Sequence, residues 1–372
     1  MKRINSIDTV RGISMWIMIY GHIVWWWLRP EDVWLRDWLY AFLKPIGATG
    51  FLLISGISAA LAYRNNQTKL RVLNKINMRM VRNVYFLRAF FILGIGFIFN
   101  MFNALAWGNS LTDIWSWLVL QTIGFSLILS WPLLNTSKVL RIIIGILVIL
   151  ANQLLLGLLT PFKGQFNTLG VLYHLIFNDM SNYVILIYFG IFIIGTVIGD
   201  IIFDINVIDD QNKRKALFKN KFLIHVFLIG ISIMTFGILF QFPNFWEFNS
   251  ISSICYSVGI ILVTLSGFMA VEVLEKVKTK RSYKYLFYYS YYSFTIYLSH
   301  PFLYFLFPER FNFITIWIAI IIGNVLLGFL FRATYKTLGP KASLKVGISV
   351  ISLKLAFKWS KLKFKSDKEK AR

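Results

Sequence analysis

The stretch RGISMWIMIYGH, from Arg11 to His22, sets a guanidinium and an imidazole at the two ends of an otherwise apolar segment. Eleven positions at 100° per residue return to within about 20° of one direction, with about 16 Å between the two along a helix axis. On one shared face, an arginine can hold an anion and a neutral imidazole can take a proton or attack a carbonyl. Asp8, three residues before Arg11, projects to nearly the same side as a helix N-cap or an ion-pair partner. A second histidine, His300 in FTIYLSHPFLYFLF, stands in a similar apolar setting, and Pro301 after it removes a backbone donor and can kink a helix there. At comparable depth the two imidazoles can meet at one site. Lys44 and Gln121 are further polar candidates for binding a substrate. Each residue also has an ordinary use: Arg11 and Lys44 can snorkel to headgroups, and His22 and Gln121 can bond to a neighbouring helix.

Such groups need elements to position them, and composition says what those are. Of 372 residues, 57% are hydrophobic and 15% charged, and the apolar residues fall in runs of roughly 20, the length that crosses a bilayer as a helix. The expected fold is all-α, a polytopic membrane bundle of about ten transmembrane helices at 9–28, 38–63, 84–105, 114–134, 142–160, 182–203, 221–241, 253–274, 285–306 and 312–332. The single cysteine, Cys255, rules out an internal disulfide framework, and no motif has metal-ligand spacing, so no metal is expected. The first span is longer than a signal core, contains Arg11 and His22, and lacks a small-residue cleavage site, so it is expected to stay in the mature chain.

A net charge of +23 raises nucleic acid as a partner, but the charges alternate from loop to loop, which speaks for a bilayer and against nucleic acid. Arg64, Lys69, Arg71, Lys75, Arg79 and Arg82 crowd one loop, and later basic clusters fall on the same side, so both termini are expected to be cytoplasmic. Most of this charge needs no ligand, because positive loops fix topology and rest on anionic headgroups. Residues 1–333 read as the transmembrane domain and 334–372 as a basic tail. Within the tail, SLKVGISVISLKLAFKWSKLKF interleaves apolar and lysine positions as an amphipathic helix on the inner leaflet does.

At this point the residues resemble a family. RINSIDTVRGISMWIMIYGH resembles the opening helix of the heparan-α-glucosaminide N-acetyltransferase catalytic family, with its Ser-hydrophobic-Asp and Arg-Gly pattern before an apolar helix. The likeness extends over GFLLISGISAALAY (50–63), the basic loop after it, LVLQTIGFSLIL (118–129) and SFTIYLSHPFL (293–303). The Arg-to-His spacing is also similar to that of the broader acyltransferase-3 integral membrane proteins. The resemblance implies transfer of an acyl group, commonly acetyl, from cytoplasmic acyl-CoA as co-substrate to an amine or hydroxyl of a sugar or glycolipid on the far side. Under that reading Arg11, Arg71, Arg79 and Arg82 meet the phosphates of coenzyme A, and His22 acts as base or nucleophile. His300 is then acceptor-binding group or partner base, and Asp8 orients Arg11. Buried His, Arg and Lys equally mark translocation paths, so a transporter or flippase for a polar or lipid-linked substrate is the rival expectation. Richness in Lys, Ile and Asn points to a prokaryotic cell membrane, and pairing of two copies as a homodimer stays open.

Overall fold

A computed structural model describes the backbone of residues 4–73, 77–106, 111–177, 184–241, 249–273 and 284–370 and their side chains, except at 44–45, 70–73, 111–112 and 360–370. The side chains of Lys44 and Arg71 thus lie outside the described residues, although both backbones are helical. In chain order the helices are α1 (Asn5–Trp27), α2 (Val33–Leu73), α3 (Met78–Ala106), α4 (Val119–Ser130), α5 (Lys138–Leu159), α6 (Thr168–Ile176) and α7 (Ile185–Asn206). They continue as α8 (Gln211–Leu217), α9 (Ile224–Phe240), α10 (Ile251–Val273), α11 (Lys284–Tyr291), α12 (Ser293–Ser299), α13 (Thr315–Thr337) and α14 (Leu344–Lys370). The described residues contain one isolated parallel bridge, Leu28 to Phe311, and no longer strand pairing.

A helix satisfies its own backbone polar groups, which is what a lipid solvent demands. Seven of these rods are long and apolar enough to cross a membrane: α2, α3, α5, α7, the continuous α8–α9 run, α10 and α13. The other three expected spans are helical but different. The 23 residues of α1 carry Asp8, Arg11 and His22, and α4 has only 12 residues. The expected span at 285–306 is broken into α11, α12 and a 3-10 turn over His300–Phe305. The connection between α5 and α7 contains the short helix α6, capped by Asn167 accepting from the Gly170 N–H at 2.8 Å.

Two compact units share the chain: Met1–Ile54 with Asp204–Leu344, and Ser55–Phe203 with Lys345–Arg372. In the first unit α1 buries Met15, Ile19 and Ile23, one turn apart, and packs on α10, α11 and α13. There α9 and α10 meet backbone to backbone: a Cβ on Gly259 would fall 2.6 Å from the Gly230 carbonyl oxygen. Small residues at such crossings are how helices approach closely where no hydrophobic drive between them exists. In the second unit α5 and α7 use the same device, with a Cβ on Gly190 falling 2.6 Å from the Gly145 carbonyl oxygen. The tail forms α14, burying Ile348, Ser352 and Ala356 at a spacing of four and exposing Val350, Ile351, Leu353, Phe357 and Trp359.

Candidate functional site

Both candidate histidines belong to the first unit, and the fold brings them together. His22 lies on the last third of α1, and His300 follows α12 where Pro301 opens the 3-10 turn. Their ring centroids are 4.5 Å apart. Trp26, one helical turn beyond His22, stacks on that ring at 4.7 Å and lies nearly parallel to the His300 ring at 5.9 Å. Tyr304 meets Trp26 edge-on at 6.2 Å, and Tyr297 stands 5.4 Å from His300. His300 is 8% exposed, and His22 is half-buried.

Backbone stitching holds this pair. The N–H of Glu309 donates to the Trp26 carbonyl at 3.0 Å, that of Phe311 to the Trp27 carbonyl at 2.9 Å, and that of Arg29 to the Phe311 carbonyl at 2.9 Å. The Trp27 indole N–H donates to the Leu303 carbonyl at 2.7 Å. The segment that follows His300 is thereby tied to the end of α1 that carries His22. His300 Nδ1 lies 2.5 Å from the Tyr297 carbonyl oxygen, an atom that only accepts, so Nδ1 bears the proton and the neutral ring keeps its lone pair on Nε2.

A second polar group occupies the other end of α1. Arg11 and Asp8 are both buried and pair at 3.3 Å, and the Ser290 hydroxyl on α11 donates to the same Asp8 oxygen at 3.1 Å. Asp8 is therefore an ion-pair partner inside the helix and not its cap. The N-terminal donors of α1 are taken instead by Glu272 of α10, which accepts from the backbone N–H of Asn5 at 2.9 Å, from that of Ser6 at 2.7 Å, and from the Ser6 hydroxyl. Gly12 explains how α11 comes so close: a Cβ there would land on the Leu286 carbonyl oxygen.

Arg79, Arg82, Gln121 and His174 lie in the second unit, and His225 in the first. Arg79 and Arg82 are exposed in the first turns of α3. Gln121 on α4 is buried over Gly96, and among the described residues neither its amide nitrogen nor its oxygen has a hydrogen-bond partner. His174 lies in the last turn of α6, and His225 is exposed at the start of α9. Among the described residues no three His, Cys, Asp or Glu side chains gather to hold a metal ion.

Sequence reasoning passed over several residues. Of the three consecutive tryptophans that end α1, Trp25 is 46% exposed, Trp27 is buried, and Trp26 covers the imidazoles. The signal was its i,i+4 spacing from His22. Glu272 carried no signal, because its partners are backbone groups 266 and 267 positions away. Asp200, an acid within the apolar run IGDIIF, was legible, and it accepts from both Arg64 and Arg141.

Residues 3–242 match the family model described as "Heparan-alpha-glucosaminide N-acetyltransferase, catalytic". No curated protein matches the chain. The matched residues include all of α1, with Asp8, Arg11 and His22, and end before His300. With more than half of its length matched and seven helices suited to a bilayer, the chain is an integral membrane protein that belongs to the heparan-alpha-glucosaminide N-acetyltransferase catalytic family.

Proposed function

We propose that the protein transfers an acyl group, acetyl in the first instance, from cytoplasmic acyl-CoA to an amine or hydroxyl of a sugar or glycolipid on the far side of a cell membrane. The observation that carries this reading is the imidazole pair, 4.5 Å between centroids and stacked against Trp26. A thioester is already activated, so the chain must mainly deprotonate the acceptor and steady the oxyanion that forms at the acyl carbon. Of the two rings, His22 is the more exposed and takes the acceptor's proton, or receives the acyl group itself before passing it on. His300, its lone pair on Nε2, serves as partner base or acceptor-binding group. In either order the acyl carbon gains a bond to the acceptor nitrogen or oxygen and loses its bond to sulfur, and the released proton goes to the thiolate.

The Asp8–Arg11–Ser290 group steadies the opposite end of the same helix, about 16 Å away along the axis. That length is of the order of a pantetheine arm. Exposed Arg79 and Arg82, in the first turns of α3, offer charge-assisted bonds to the donor's phosphates. This scheme places ten crossings in the membrane, with α1, α4 and the α11–α12 segment joining the seven long helices, both termini in the cytoplasm, and α14 on the inner leaflet. The basic loops support that topology.

The test is transfer of labelled acetyl from acetyl-CoA in proteoliposomes supplied with amino-sugar and glycolipid acceptors. His22→Ala is expected to abolish transfer while the protein stays folded and inserted. Undiminished transfer by that variant overturns the assignment.

A further inference from the structure

Acyl transfer, as laid out above, uses the two imidazoles and leaves the indole beside them without a part. Trp26 is half-buried on the last turn of α1, one turn after His22. Its plane is 26° from that of His22 with 4.7 Å between centroids, and 21° from that of His300 at 5.9 Å. Both separations fall in the range of offset-stacked rings. The two imidazole planes are themselves 44° apart, so in tilt the indole stands between them.

An imidazole turns about its last side-chain bond in a broad two-fold well, so covalent structure alone leaves its plane loosely set. A flat ring against its face blocks that turn, because the rotating ring would drive its edge into the neighbour. Trp26 is itself held. Its carbonyl accepts from the Glu309 N–H at 3.0 Å, the next residue's indole N–H donates to the Leu303 carbonyl at 2.7 Å, and Tyr304 meets the Trp26 ring edge-on at 6.2 Å and 80°. Those partners all follow His300 in the chain, so the indole is braced by the same segment that carries the second imidazole.

Proton transfer and nucleophilic attack both need the imidazole nitrogen aimed at the reacting atom, and a misplacement of about 1 Å costs roughly a hundredfold in rate. We propose that Trp26 is a positioning residue, which sets the planes of the His22 and His300 rings so that a His22 nitrogen meets the acceptor's proton or the acyl carbon. The catalytic consequence rests on the acyl-transfer reading, and the positioning rests on the ring geometry alone. A side chain that only fills space here can be any of similar bulk, whereas one that sets ring planes must be flat.

Two variants separate these: Trp26→Phe keeps a flat ring, and Trp26→Met fills the space without one. In the proteoliposome assay Trp26→Met is expected to lower kcat about tenfold or more while KM for acetyl-CoA stays within about twofold of wild type, and Trp26→Phe to recover most of the rate. Equal loss in the two variants, or full kcat in Trp26→Met, overturns the proposal. A second measurement needs no turnover. The chain has four histidines, so full-length protein with isotope-labelled histidine in detergent gives few enough ring signals in an NMR spectrum to assign by His22→Gln and His300→Gln. Protons held over an indole face resonate upfield, so the His22 ring signals are expected upfield of those of exposed His225 in the wild type. In Trp26→Met they are expected to move downfield while His225 stays. Wild-type His22 signals without the upfield shift overturn the proposal, whether or not Trp26→Met folds. A wild type that shows the shift but transfers no acetyl sinks the acyl-transfer reading and leaves the positioning of the rings standing.

Discussion

Asp8 shows what a buried charge does for its neighbour. Arg11 is 7% exposed, and its ion pair with Asp8 is completed by the Ser290 hydroxyl from another helix. Removing one partner of such a pair leaves the other charged and dry, which costs about 3–5 kcal/mol. Asp8→Ala is expected to lower the thermal unfolding midpoint in detergent steeply, and Asp8→Ala with Arg11→Leu to recover most of it. If the single and double variants melt alike, the pair carries no such weight. At this scale the sequence was informative wherever a polar residue interrupted an apolar run, which is why Arg11, His22, His300 and Gln121 stood out. Glu272 and the pairing of Arg64 with Asp200, 136 positions apart, depend on which helices become neighbours, and single-chain spacing carries no information about that.

Elements decide where those side chains go, and their contacts turn on single atoms. At Gly12 a Cβ would strike the Leu286 carbonyl oxygen, so α1 and α11 touch only because position 12 has none. The same α11 leads through Tyr292 into α12 and His300, so pushing α11 away shifts the second imidazole as well. Gly12→Ala is thus expected to cost both stability and acetyl transfer, read as a lower unfolding midpoint and a lower kcat. Gly94→Ala on α3, where nothing lies within 4 Å of an added Cβ, serves as the contrast and is expected to be neutral or slightly stabilising through helix propensity. A matching response at both positions removes the argument from close approach. Boundaries were less legible than positions. The second span was expected to end at 63, yet α2 runs on to Leu73, because RNNQTKLRVL ends an apolar span without ending a helix. The break at Tyr292 falls between serine and tyrosine residues, with no glycine or proline nearby to announce it.

For the whole molecule, the open quantity is how many times the chain crosses the bilayer, and three elements decide it. Helix α1 spans about 34 Å at 1.5 Å per residue, enough to cross, but pairs Asp8 with Arg11 near one end and His22 with His300 near the other. Helix α4 covers only about 18 Å and needs the flanking 3-10 turns to reach across. The α11–α12 segment crosses only if its kinked end is counted. In a Cys255→Ser background, Glu31→Cys, Asp113→Cys and Glu309→Cys are expected to react with an impermeant maleimide in intact cells, and Lys138→Cys and Lys284→Cys only after permeabilisation. Each short element sits between two of these probes or between a probe and the amino terminus, so a pair reacting from the same side removes one crossing and identifies which. Asp113 and Lys138 are the sharpest pair, because the 12 residues of α4 are the least able to span alone. If they label from opposite sides, the polar side chain of Gln121 lies within the membrane, where its two amide atoms, without a partner among the described residues, have no bulk water to turn to.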